Sequence, residues 1–198
     1  MASSLVAIKI PKVSGRITVA DTFVFLTMLL YGGAAAILVS ALEGVAATLI
    51  ISKRPRTILF NSAVMACATF ITVWTLRTCF GSIVELPRGG YTGGFIGAIW
   101  VMALTQYGAN SGLVAVEKSL KTEQPFWTTW RSFYLWTSVT YIAGASAAGI
   151  IAKLIGTFGF YAVTLTAPIV AIVYLTYRAY LKNIEASQAQ TAQAERHV

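Results

Sequence analysis

Charge is scarce in this chain of 198 residues: only 11% are Asp, Glu, Lys or Arg, while 57% are apolar and the mean hydropathy is +0.70. So little polar surface cannot cover a water-soluble globule, which excludes an ordinary soluble domain and leaves an integral membrane protein. Histidine occurs once, as His197, too few to build a metal site or to serve a serine or cysteine nucleophile within the membrane. A glycine-rich phosphate loop with its lysine and an acidic pair at metal spacing are missing too. Catalysis, metal ligation and a bound cofactor are therefore not expected. Two cysteines, Cys67 and Cys79, fall on one predicted helix about 18 Å apart along its axis, too far to bond to each other. They read as small apolar helix residues. The opening MASSLVAIKIPKVSGR has no signal-peptide core or cleavage pattern, so insertion is expected to depend on the spans themselves.

What the sequence does have is long apolar runs. A bilayer-crossing helix needs about 20 mainly apolar residues, whereas a membrane β-barrel alternates in segments of about 10. Six helical segments can be drawn, at 18–31, 34–51, 57–80, 93–117, 131–154 and 158–181. Gly32-Gly33 divides the first two, because one helix over 18–51 would be about 50 Å long, too much for a single crossing. The expected fold is all-α: a bundle of about six transmembrane helices over 18–181, preceded by a cytoplasmic segment 1–17 and followed by a cytoplasmic helix 182–198.

Lysine and arginine orient that bundle. Lys9, Lys12, Arg16, Lys53, Arg54, Arg56, Lys118, Lys121, Arg131, Arg178, Lys182 and Arg196 all fall on one side of a six-pass chain. Arg77, Arg88 and Lys153 remain at or near the other, the last close enough to a span end to snorkel, as is Arg77. Both termini are thus predicted to be cytoplasmic. The net charge of +8 is juxtamembrane, which favours anionic lipid as its partner and argues against nucleic acid.

The outer loop Gly81–Gly94 is glycine-rich and carries Pro87, so it is expected to be irregular and able to fold over the bundle mouth. On the inner side Phe126, Trp127 and Trp130 suit a headgroup-level aromatic belt. Gly93-x-x-x-Gly97, Gly108-x-x-x-Gly112 and the AGASAAG run from Ala143 offer small faces for close helix packing, within one chain or between two.

Polar residues inside the spans are the candidates for function, since an ionisable group at mid-membrane costs about 2.5–3.5 kcal/mol. Glu43 lies near the middle of the second segment and reads either as a ligand or proton site or as a satisfied structural acid. Asp21 suits the first turn of a helix, where a carboxylate complements the dipole. Asn61, Gln106 and Asn110 are amides within spans, the last two spaced i,i+4 on one face. They read as pocket residues with Glu43 or as interhelical hydrogen-bond partners. In the tail, positions 181, 184, 188, 191, 195 and 198 follow coiled-coil spacing with a mostly polar seam, which leaves a paired helix and a frayed end both open.

The stretch KIPKVSGRITVADTFVFLTMLLYGGAAAILVSALEGVAATLIISKRPRTILFN resembles the N-terminal membrane region of bacterial cyclic-di-GMP signalling proteins with GGDEF or HD-GYP output domains. The parts that carry it are the Ile-Pro opening with D-T-F-V-F, the L-L-x-G turn, the A-L-E-G run and R-P-R-x-x-L-F-N. The closing APIVAIVYLTYRAYLKNIEASQAQTAQAERH is similar to the way such a region leads into a cytoplasmic connector. That membrane region is in turn similar to the substrate-binding subunits of energy-coupling-factor vitamin transporters. The resemblance implies a sensor in the bacterial inner membrane that holds a small molecule in its helical bundle. Asp21, Thr22, Glu43 and Asn61 carry over as pocket or core-network residues. Arg178, Leu181 and Ile184 would begin the helix that passes the signal on, to an output domain or protein outside this chain or across a homodimer. An importer's binding subunit and a structural subunit without ligand are the alternatives. Relatives of this type begin with a further apolar helix ahead of the Ile-Pro opening, so the resemblance implies a start that is truncated or differently placed.

Overall fold

The computed structural model describes residues 7–9, 16–18, 20–90, 93–134, 137–159, 161 and 164. Two compact units divide the chain, residues 1–157 and 158–198, and everything that follows concerns the first, apart from the last residue of its final helix. Arg178, Leu181, Ile184, the sixth predicted segment beyond these positions and the tail seam lie outside the described residues.

Two short strands, β1 (Ala7–Lys9) and β2 (Arg16–Thr18), pair antiparallel with Ile8 opposite Ile17. The two strands lie at the end of the N-terminal segment, and the first helix begins at Ala20 rather than at 18. From there the fold is helical: α1 (Ala20–Tyr31), α2 (Gly33–Ile51), α3 (Pro55–Phe80), α4 (Gly93–Thr122), α5 (Phe126–Tyr134) and α6 (Thr137–Phe158). A 3-10 turn, Ile83–Glu85, lies between α3 and α4.

Each break has a local cause. Gly32 separates α1 from α2 with φ 87°, a left-handed conformation that glycine adopts without a Cβ penalty. Pro55 opens α3 at a position where its missing N–H would have no helical partner. Gly81 closes α3 with φ 78°, its N–H donating to the Arg77 carbonyl at 3.1 Å. The expected span 131–154 needs correction: Phe126–Tyr134 form a separate helix just after Pro125, and α6 runs over 137–158. α5 is strongly amphipathic, with Trp127 and Arg131 exposed and Trp130 half-buried.

Gly33–Ile51, Pro55–Phe80 and Ser138–Phe158 are long and apolar enough to cross a membrane, and Asp21–Tyr31 is a shorter apolar helix. α4 has 30 residues but is not among these, because Gln106, Asn110 and Ser111 dilute its apolar content.

The core is built from Phe25, Met28, Leu29, Leu76 and Met102, each at most 1% exposed. Polarity is inverted around it. Ser40, Thr48, Thr69, Thr72, Gln106 and Ser111 are buried, while Leu38, Leu42, Leu59, Phe70, Trp74 and Trp100 are exposed. Several buried hydroxyls donate back to the carbonyl four residues earlier, as Thr72 does to Ala68 at 2.9 Å and Ser111 to Tyr107 at 2.5 Å, so they do not need water.

Glycine spacing and close packing diverge. A Cβ built on Gly93, Gly108 or Gly112 meets no described atom within 4 Å, so among the described residues these three glycines make no close approach, while at Gly97 it would lie 3.7 Å from the Phe80 ring. The AGASAAG run does: at Gly149 the added carbon falls 2.8 Å from Ile99 Cδ1, and at Gly144 it falls 3.2 Å from Thr22 Oγ1.

Candidate functional site

The site begins with the α1–α2 hairpin. Asp21 and Glu43 are equidistant in sequence from Gly32, and the reversal there brings both into the lining of one cavity. α3 joins at Gly44, where a Cβ would stand 2.8 Å from Ser62 Cα. That contact sets the register of polar groups across the two helices. Ser62 Oγ donates to the Ala41 carbonyl at 2.9 Å. Asn61 Nδ2 donates to Thr48 Oγ1 at 2.9 Å, and the Thr48 hydroxyl donates to the Gly44 carbonyl at 2.7 Å.

α4 and α6 complete the enclosure. Asn110 Nδ2 donates to Tyr141 Oη at 2.5 Å. The Tyr141 ring is held edge-on by Phe25 at 6.4 Å between centroids and lies 6.0 Å from Tyr107, so its position is fixed by packing as well as by the bond. Tyr107 continues to Trp130 of α5 at 5.9 Å, and the Trp130 indole N–H donates to Ser111 Oγ at 2.9 Å.

The resulting cavity measures about 260 Å³. Asp21, Glu43, Thr48, Asn61, Asn110 and Tyr141 supply its polar lining, with Met65 and Val114 among the apolar residues. None of the twelve described residues that line it is lysine, arginine or histidine. It sits at the end of the bundle marked by the 52–54 turn: Asp21 is in the first turn of α1, Ile51 ends α2, and Asn61 and Tyr141 lie near the starts of α3 and α6. A second hollow of about 230 Å³, between α4 and α6, is apolar apart from Ser146 and the Trp100 indole, and offers little to recognise a polar solute.

Of the six candidate ligand residues, Asp21, Glu43, Asn61 and Asn110 line the main cavity together, whereas Thr22 and Gln106 do not. Thr22 packs where α1 meets Gly144 of α6. Gln106 is 1% exposed and joins α4 to α3, its Oε1 lying 2.7 Å from the Thr72 hydroxyl and its Nε2 donating to Thr69 Oγ1 at 3.1 Å. Its amide is thus engaged at both ends within the bundle. Thr48 and Tyr141 were not singled out from the sequence; a hydroxyl inside an apolar span was the available signal.

Lys153 also departs from expectation. It is 7% exposed instead of snorkelling outward, and its ammonium donates to the Pro87 carbonyl at 3.0 Å while lying 5.6 Å from the centre of the Phe95 ring. The loop that carries Pro87 is thereby fastened to α6. Cys67 and Cys79 are free and exposed. Among the described residues no three His, Cys, Asp or Glu side chains gather as metal ligands do. No protein-family model, curated protein or solved structure matches this chain.

Proposed function

We propose that the chain is a membrane sensory input module: a multi-pass bundle in the bacterial inner membrane that binds a small molecule in the cavity between α1, α2, α3, α4 and α6. The observation that carries this reading is the convergence of polar side chains from five helices on one cavity of about 260 Å³. An apolar cavity of about 150 Å³ already accommodates benzene, so a metabolite-sized guest fits by volume. The inverted polarity supports the membrane placement, because exposed Leu, Phe and Trp side chains face hydrocarbon favourably and interior hydroxyls and amides bond to one another.

Orientation follows from the basic residues. Lys53, Arg54 and Arg56 stand beside the turn that marks the cavity's end of the bundle, which the positive-inside rule assigns to the cytoplasm. A cavity in the cytoplasmic half suits a receptor that reports to a cytoplasmic output better than an importer subunit that takes solute from outside. The connector would start near Arg178, and the output would be a cyclic-di-GMP enzyme domain or a partner protein. For any signal to pass, the guest must bind two bundle states unequally.

The test is a thermal-denaturation screen of the detergent-purified chain against metabolites of several classes. A guest at 100 times its Kd stabilises the folded state by about 2.7 kcal/mol, a readily measured rise in unfolding midpoint. A screen in which no compound gives a saturable rise overturns the binding reading.

A further inference from the structure

None of the described α5 residues lines the main cavity, so the helix is not accounted for by a bound guest. Its nine residues rise about 14 Å, less than half of the roughly 30 Å of hydrocarbon, and α5 therefore cannot cross a bilayer. Its two faces differ. Thr129 is buried and Trp130 half-buried on the side of α4, where the indole N–H donates to Ser111 Oγ and the ring meets Tyr107. Trp127, Thr128 and Arg131 form the opposite face and are exposed, Trp127 by 63%. A tryptophan ring is apolar with one N–H donor at its edge, and a guanidinium meets phosphate through a planar fork. A short helix carrying that pair one turn apart suits the plane of lipid headgroups.

The α2–α3 turn adds an independent observation at the same end of the bundle. Lys53, Arg54 and Arg56 are exposed there, bordered by Ile51 and Leu59, each 73% exposed. Neither these three cations nor Arg131 take part in a salt bridge among the described residues. Acyl chains beside phosphate satisfy such a border of apolar and cationic side chains together. An acidic protein surface would satisfy the charges alone.

We propose that α5 docks on anionic phospholipid of the leaflet at the cavity's end, with Trp127 at headgroup level and with Arg131 and the cations of the 53–56 turn on lipid phosphates, and that this docking sets where Trp130 holds Tyr107. Tyr107 lies 6.0 Å from Tyr141, which lines the cavity, so leaflet charge becomes a second input to the same wall. The inference uses the membrane placement proposed above and not the presence of a guest.

The full chain with Cys67→Ala, Cys79→Ala and a fluorophore on Thr128→Cys is reconstituted in lipid nanodiscs of phosphatidylcholine alone or with one third phosphatidylglycerol. Acrylamide, an uncharged aqueous quencher, reads how far the label is shielded. Quenching is expected to be about threefold weaker in the anionic discs, and the difference should vanish at about 1 M salt, where the Debye length is about 3 Å. Arg131→Gln should shrink the difference, and Lys53→Gln, Arg54→Gln and Arg56→Gln together should shrink it further. All four side chains are exposed, so these variants should fold; should one not, the comparison of the two disc types on the labelled parent decides. Amide exchange over residues 107–111 should slow in parallel in the anionic discs. Equal quenching in both disc types overturns the anionic docking and leaves the cavity reading intact. A difference that survives all four substitutions overturns the assignment to these cations. Docking without slower exchange over 107–111 overturns the link to the cavity wall. Release of the chain from cell membranes by alkaline carbonate overturns the membrane placement, and both readings with it.

Discussion

Replacing Gly44 by alanine should loosen the bundle where the cavity is framed. A Cβ at this position would stand 2.8 Å from Ser62 Cα, 2.9 Å from the Asn61 carbonyl oxygen and 3.0 Å from the Ser62 nitrogen. All three are backbone atoms, so no side-chain rotation makes room. Favourable carbon separations begin near 3.5 Å, and α2 and α3 must therefore part by roughly 0.7 Å. Overpacking of this kind costs about 1–3 kcal/mol. The Asn61–Thr48 and Ser62–Ala41 bonds span the same contact, and interhelical bonds in membranes average about 0.6 kcal/mol each. Alanine returns about 1 kcal/mol of helix propensity. The net expectation is a loss of about 1–3 kcal/mol, taken from those same three contributions. Unfolding by sodium dodecyl sulfate, followed by tryptophan fluorescence, measures it. Gly108→Ala and Gly112→Ala are the internal controls: no described atom lies within 4 Å of either added carbon, so each should be neutral or stabilising by up to about 1 kcal/mol. A Gly44→Ala chain as resistant as these controls would refute the close approach of α2 and α3.

Other parts of the fold give further expectations. A double-mutant cycle over Gln106→Leu and Thr72→Val should return a coupling of about 0.6 kcal/mol, bounded near 1.7, and a coupling of zero would remove the α3–α4 amide link. Lys153→Met should free the loop that carries Pro87, seen as faster amide exchange over residues 83–89 with unchanged exchange around the cavity; unaltered loop exchange would contradict the Lys153–Pro87 tether. With Cys67 and Cys79 replaced, a membrane-impermeant maleimide applied to intact cells should label Gly89→Cys and spare Lys121→Cys until the membrane is permeabilised. The reverse pattern would invert the proposed orientation.

The parts of this fold that were legible in the sequence are those set by one segment at a time. Apolar runs bounded by Gly32, Pro55 and Gly81 placed α2 and α3 to within two residues, because each boundary is a local backbone event. Asp21, Glu43, Asn61 and Asn110 stood out as polar groups in apolar helices, and the fold gathers them in one lining. Periodicity does not tell which polar residue meets which neighbour. Gln106 and Asn110 share a helix face, yet one is consumed by Thr69 and Thr72 while the other reaches Tyr141. The glycines repeat that lesson. Gly108-x-x-x-Gly112 has the spacing of a packing motif and faces no described atom within 4 Å, whereas Gly44, in a run with no such spacing, touches the α3 backbone. Lys153 was misjudged because its burial comes from a loop 66 residues earlier in the chain folding back over α6. The apolar-run criterion passes over a short amphipathic helix, which is why 126–130 fell between spans and 131–134 was joined to the next one.

Occupation of the cavity is the central claim, and filling it with protein tests that claim most directly. Ala47 lines the cavity and is half-buried on α2, so Ala47→Phe places a ring where the guest would lie. The measurement is the shift in unfolding midpoint produced by a stabilising compound on the unaltered chain and on Ala47→Phe. The account predicts a saturable shift on the former and none on the latter, with the unliganded variant still folded. Equal shifts on both chains would place the compound elsewhere and contradict it.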